Sequence, residues 1–87
     1  MSLWEFEYER PASLVVAAAR IAGGDLSDRG SIVRGLRIIA RLEGWPGRLA
    51  SYLLARREAL EEALHYAAMG YADAGVVEEV VGRWSGS

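Results

Sequence analysis

The side chains best suited to chemistry in this chain are its arginines. Seven of the ten basic residues lie between positions 29 and 57, and all seven are arginine. With Glu43 as the single carboxylate of that stretch, its formal charge is about +6, whereas segments 1–28 and 58–87 carry about −3 and −5. Guanidinium groups bind phosphate or carboxylate oxygens through paired hydrogen bonds. The stretch therefore predicts either a phosphate-binding surface or ion pairs with acidic helices.

A second group that could do chemistry is the pair Glu62 and His65. A Glu-x-x-His spacing puts both side chains on one helical face, as in half of a carboxylate-bridged di-iron site. Completing such a site needs Glu61, Glu78 or Glu79 from a dimer, so a metal-binding helical bundle is a remote alternative. No other cofactor is expected. His65 is the only histidine, so no serine has a plausible base, and we predict that the protein is not an enzyme.

Composition limits the chain to one small domain over residues 1–87. Lys, Asn, Gln, Thr and Cys are absent. The missing amides and thiols are typical of a thermophile protein or of a restricted design alphabet, and disulfides and thiolate metal sites are excluded. The longest uninterrupted apolar run, residues 14–19, is far shorter than the ~20 residues that span a bilayer. No signal-peptide pattern is present, so we expect no membrane association and a cytoplasmic location.

The N-terminus has a period of two. Trp4, Phe6 and Tyr8 alternate with glutamates until Pro11 interrupts the pattern, which predicts a β-strand. A lone strand in a helical chain needs a partner for its backbone groups, so we expect the same strand of a second protomer to pair with it. Trp4, Phe6 and Tyr8 would then form the dimer interface. A short amphipathic segment leading into the first helix is the alternative.

About four helices should follow the strand. The first begins near Pro11 and ends at residues 23–24; the second begins after Asp28 or Ser31 and ends at Gly44. The third covers roughly residues 46–69, and the fourth roughly 73–84, with a strand over 76–81 as the alternative. The predicted fold class is mainly α: a compact helical bundle, with a strand-helix-helix unit over 1–45 and a helical hairpin over 46–87.

A strand ending in proline, a helix, a short turn and a segment opening with arginine and serine make up the first half of the chain. The residues that carry this pattern are Pro11, Leu14, Ile21, Arg29, Ser31, Ile32, Val33 and Arg34. The pattern resembles the ribbon-helix-helix family of dimeric DNA-binding proteins. The resemblance implies an intertwined homodimer whose ribbon enters the major groove, with the start of the second helix holding a phosphate. The outward strand face would carry three glutamates, which oppose a polyanion.

Residues 39–50 also resemble a helix-turn-helix, as a second possibility. Its recognition helix would begin at Gly47 and project Arg48, Ser51, Tyr52, Arg56 and Arg57. Glu43 stands where that motif prefers an apolar residue, and no wing strand follows. Both resemblances put the contact surface within the arginine-rich stretch.

The sequence thus predicts a small, regulator-like homodimer that binds nucleic acid, with duplex DNA as the candidate partner. The candidate nucleic-acid-binding residues are Arg29, Ser31, Arg34, Arg37, Arg41, Arg48, Arg56 and Arg57. The alternative is a helical homo-oligomer or protein interaction module, in which these arginines pair with the acidic helices.

Overall fold

Five α-helices make up the part of the chain that the computed structural model describes, residues 8–86. In chain order they are α1 (Glu9–Ala22), α2 (Arg29–Ile39), α3 (Trp45–Ala55), α4 (Arg57–Ala68) and α5 (Ala74–Gly86). Their Cα radius of gyration is 11.4 Å, close to the value of about 12 Å expected for one domain of this length. The prediction of a compact, mainly α bundle is confirmed.

The predicted N-terminal strand is wrong, because residues 8–86 contain helices and no strand. Tyr8 has helical backbone angles (φ −65°, ψ −30°) and leads directly into α1. Its ring stacks on Tyr66 of the same protomer, with 3.9 Å between ring centroids, so it packs against its own bundle. The ribbon-helix-helix fold requires that strand, so this resemblance is wrong. Trp4 and Phe6 lie outside the described residues, and the dimer interface predicted at Trp4, Phe6 and Tyr8 stays a prediction.

The helix predicted over residues 46–69 is instead two helices, α3 and α4, which meet at Arg56. This residue has extended backbone angles (φ −126°, ψ 106°) and follows α3 directly before α4 begins. Its N–H still donates to the Tyr52 carbonyl at 3.0 Å, and its own carbonyl accepts from the Leu60 N–H at 3.1 Å. Because both backbone groups are satisfied, the chain changes direction here without leaving a buried polar group unpaired.

The last predicted helix corresponds to α5. The alternative of a strand over residues 76–81 is wrong because that segment is helical. Asp73 precedes the helix, and its carboxylate accepts from the Gly75 N–H at 2.7 Å, which satisfies a donor in the first turn. Neither α5 nor any other helix between residues 8 and 86 is long and apolar enough to cross a membrane.

Helix α1 lies at the centre of the bundle, since it packs against α2, α4 and α5 and also touches α3. The buried residues of α1 are Ala12, Ser13, Leu14, Val15, Ala17, Ala18 and Ala19. Most of these side chains are small. The one polar member, Ser13, accepts a hydrogen bond from the Asp73 N–H at 2.8 Å. That bond attaches the loop before α5 to the central helix.

Two glycines allow unusually close backbone approaches on either side of α2. A Cβ at Gly35 would lie 2.6 Å from the Cα of Ala18, so α2 crosses α1 in direct backbone contact at this point. A Cβ at Gly47 would lie 3.0 Å from the carbonyl carbon of Leu42, so the first turn of α3 packs on the turn that precedes it. These contacts fix α2 and α3 against their neighbours and hence determine where their exposed side chains lie.

Candidate functional site

The start of α2 is held by a capping network. Asp28 is the N-cap residue, and its carboxylate accepts from the Ser31 N–H at 3.1 Å and from the Ser31 hydroxyl at 2.8 Å. The Ser31 oxygen in turn accepts from the Arg34 guanidinium at 3.0 Å. Ser31 is only 2% exposed, so its hydroxyl belongs to the cap and is not presented to a phosphate.

Because Asp28 is the cap, the free energy of unfolding depends on pH in the acid range. The Ser31 hydroxyl, then the Ser31 N–H, and further the nearby Arg34 lower the pKa of Asp28 below its ordinary value. A depressed carboxyl pKa stabilises the folded state above the unfolded pKa of about 3.9, and this contribution disappears as the pH falls through the folded pKa. Asp28→Asn keeps a cap acceptor but cannot titrate.

We therefore expect the free energy of unfolding to fall more steeply between about pH 6 and pH 2 in the natural chain than in Asp28→Asn. Asp25, whose pKa is lowered chiefly by the Ser27 hydroxyl, is retained in both proteins; the Asp28 charge raises that pKa, so removal of this charge lowers the Asp25 pKa further. Denaturant titrations over this pH range measure the difference. Parallel curves for the two proteins would show that the cap carboxylate is not linked to folding.

Two arginines pair with the acidic helices. Arg29 donates to both carboxylate oxygens of Glu61 on α4, one of them at 3.0 Å. Arg20, at the end of α1, donates to Glu78 on α5 at 2.8 Å. Between residues 8 and 86 these are the only two ion pairs. Arg29, a predicted nucleic-acid-binding residue, is therefore already neutralised within the protomer.

The remaining arginines of α2 lie on its outer side. Its buried residues are Ser31, Ile32, Gly35, Leu36 and Ile39. Arg34 and Arg37 are exposed on the helix, and Arg41 is exposed in the turn just beyond it, where its N–H donates to the Ile38 carbonyl at 3.1 Å. No carboxylate of the described residues forms an ion pair with any of these three arginines.

Helix α3 continues this positive surface. Arg48 is exposed, and it lines a shallow depression together with Ala40 and Ser51, which places it beside the end of α2. We call the exposed side chains of Arg34, Arg37, Arg41 and Arg48 the arginine surface. It includes four of the eight predicted nucleic-acid-binding residues: two on α2, one in the turn after α2 and one on α3.

The other predicted binding residues lie elsewhere. Arg56 lies at the junction of α3 and α4, with its guanidinium carbon 5.7 Å from the ring centroid of Tyr52. Arg57 is exposed at the first position of α4, so it is not part of the recognition helix that the helix-turn-helix resemblance implied.

No family model, curated protein or solved structure matches this chain. Neither predicted DNA-binding family is supported. The candidate site is therefore defined only by the positions and contacts of its residues in this structure.

A cavity of about 450 Å³ opens beside α3. Its apolar lining residues are Pro11, Leu49, Leu53, Ala59 and Ala63. Its volume falls within the range of about 300–1,000 Å³ typical of small-molecule sites, which often lie between the helices of a bundle. Sequence reasoning did not predict this cavity, since it depends on how α1, α3 and α4 pack.

Tyrosines and charged residues surround the opening of this cavity. Tyr8, Tyr52 and Tyr66 line its walls, together with Arg56, Glu58 and Glu62. The pKa of Tyr66 is raised to about 12, chiefly by a hydrogen bond to the Tyr8 hydroxyl, then by burial and by the charges of Tyr8, Glu62 and Tyr71. The Tyr66 hydroxyl therefore stays protonated well into the alkaline range, and Tyr8 engages its proton.

Glu62 and His65, the predicted metal ligands, have surroundings typical of helix-surface residues. Glu62 lines the cavity, whereas His65 is exposed and packs edge-on against Tyr66 with 5.4 Å between ring centroids. Among residues 8–86 no three His, Cys, Asp or Glu side chains are grouped closely enough to hold a metal ion. The structure thus brings no further ligand to Glu62 and His65 within one protomer.

Two further arginines have partners that sequence reasoning missed. The guanidinium carbon of Arg10 lies 5.1 Å from the ring centroid of Trp45, and Arg83 donates to the Glu43 carbonyl at 3.1 Å. Both contacts join distant parts of the chain at the turn between α2 and α3. No local pattern indicates them, because each depends on the tertiary arrangement of the helices.

Proposed function

We propose that this protein binds nucleic acid through the arginine surface, as a small regulator-like protein without catalytic activity, and that duplex DNA is among its ligands. The main support for this proposal is that some arginines form ion pairs within the protomer and others do not. Arg29 and Arg20 pair with acidic helices, while Arg37, Arg41 and Arg48 are exposed and form no ion pair with any residue between 8 and 86. Unpaired guanidinium groups on adjoining helices attract a polyanion and bind its phosphates.

The spacing of these side chains suits a phosphate backbone. Arg34 and Arg37 lie one turn apart on α2, and Arg41 follows in the turn just beyond the helix, so all three are exposed within a short stretch of chain. Flexible arginine side chains spaced in this way can contact several phosphates of one strand. The Arg34 guanidinium already donates to the Ser31 oxygen, so it would be the most rigid of these side chains and would contact a phosphate through its remaining N–H groups.

The test is binding of fluorescent duplex DNA at several salt concentrations. If three or four arginines neutralise phosphates, the logarithm of affinity should fall against the logarithm of salt with a slope of about −3 to −4 per protomer. In the double variant Arg37→Gln/Arg41→Gln we expect the slope to become shallower by about 2, with affinity at low salt reduced by at least about tenfold.

A matched control removes the same charge elsewhere. Arg20→Gln/Arg57→Gln also neutralises two exposed arginines, one at the end of α1 and one at the start of α4. This variant should keep both the slope and most of the affinity of the natural chain. An equal loss in the two double variants would reduce the effect to net charge, and no binding even at low salt would refute the proposal.

A protein interaction module is the second candidate, and a separate observation favours it. Tyr52 and Met69 are about half exposed, at 50% and 56%, and large exposed apolar side chains are common in protein interfaces. Sedimentation of the natural chain and of Arg37→Gln/Arg41→Gln tests this alternative. A self-associated protein whose mass changes in the variant, with no affinity for DNA in either form, would support it over nucleic-acid binding.

A further inference from the structure

We propose that the cavity beside α3 holds one unpaired nucleobase that carries an exocyclic amino group, from a strand whose phosphates lie on the arginine surface. This inference rests on the proposed function for the strand, but the base site has its own chemistry. That chemistry is shared by single-stranded DNA and RNA, because it concerns the base and not the sugar. Three features support it: a stacking surface, hydrogen-bond acceptors and continuity with the arginine surface.

The stacking surface is Tyr52 with Arg56. Half of the Tyr52 surface is exposed, and the Arg56 guanidinium lies over its ring. Both residues also line the cavity. Aromatic rings and guanidinium planes are the two protein surfaces on which unstacked bases pack, and each such contact tolerates any base. An unpaired base can therefore enter the cavity along Tyr52 and pack on its apolar lining residues.

The acceptors are Glu58 and Glu62. They lie one helical turn apart on α4, and both line the cavity. Neither forms an ion pair with a residue between 8 and 86, so both carboxylates can accept hydrogen bonds from a ligand. A carboxylate accepts hydrogen bonds from the amino group of cytosine, and the adenine and guanine amino groups offer the same donor. Thymine and uracil lack that group.

The route to the cavity follows α3. Arg48, Tyr52 and Arg56 stand at intervals of four residues, so the arginine surface and the cavity opening share one side of this helix up to its last turn. Phosphates would remain on the arginine side, away from Glu58 and Glu62, and only the base would pass Tyr52. The arginine surface thus favours the phosphates, and the carboxylates that line the cavity favour the base.

The first test compares labelled single strands of cytosine and of thymine, as DNA and as RNA, binding to the full chain. We expect cytosine strands to bind about tenfold more tightly than thymine or uracil strands. Glu58→Ala/Glu62→Ala, which removes both acceptors, should abolish this preference, and Tyr52→Ala should weaken all single strands. Glu9→Ala/Glu79→Ala is the matched control, since these two exposed residues do not line the cavity, and it should keep the preference.

A second measurement separates this inference from the proposed function. Cytidine monophosphate, titrated into the isotope-labelled protein, should shift the amide signals of residues 58–66 in the natural chain and not in Glu58→Ala/Glu62→Ala. Strands that bind without base preference, with no such shifts, would overturn the base site and leave the arginine surface intact. Shifts by the mononucleotide in a protein that binds no strand would support the base site and refute the arginine surface.

Discussion

Replacing Gly35 by alanine should destabilise the fold by about 2–3 kcal/mol or more, although it adds a single methyl group. The new Cβ would lie 2.6 Å from the Cα of Ala18, and backbone atoms cannot move aside as a side-chain end can. Helix α2 would have to shift away from α1, which would open the interface between the two helices. Thermal and denaturant unfolding of the purified variant measure the loss.

The matched control is Gly82→Ala. Gly82 lies in α5 with nothing within 4 Å of an added Cβ, so the same substitution should stabilise the protein by about 0.5–1 kcal/mol, because alanine favours helix over glycine. The two substitutions thus have opposite expected signs. If Gly35→Ala proved as harmless as Gly82→Ala, the close crossing of α1 and α2 would be wrong.

Leu36→Ala should cost about 2–5 kcal/mol through the cavity that it leaves. Leu36 is fully buried on the inner side of α2, and the backbone contact one residue earlier limits how far the helix can move to fill the space. Ile38→Ala is the control on the same helix, since Ile38 is only partly buried, and its loss should be clearly smaller. Equilibrium unfolding in guanidinium chloride compares the two, and equal losses would contradict the assigned inner face of α2.

The helices were predictable from the sequence where local signals mark their ends. Gly23 adopts a left-handed conformation (φ 78°) directly after α1, and Asp28 caps α2, as the sequence indicated. The break at Arg56 was not predictable, because neither glycine nor proline stands there and the apolar periodicity continues through it. The strand prediction failed at Tyr8 for a related reason: a short period of two did not outweigh the helical start and the stacking on Tyr66.

The candidate site was predictable only as a set of residues. The sequence indicates an arginine-rich stretch, but which of its members remain unpaired depends on contacts between residues far apart in the chain. Arg29 meets Glu61 because α4 packs near the start of α2, and no local pattern contains that information. The cavity beside α3 is likewise a product of packing, so its tyrosines and glutamates could not be grouped in advance.

The small side chains of α1 have a consequence for the entropy of folding. Ala12, Ala17, Ala18 and Ala19 are all at most 4% exposed, yet an alanine has no side-chain rotamers to lose when it becomes buried. A leucine in the same place would lose roughly 0.5–1 kcal/mol of rotamer freedom. The central helix is therefore ordered at a low entropic cost, which helps a small domain to remain folded.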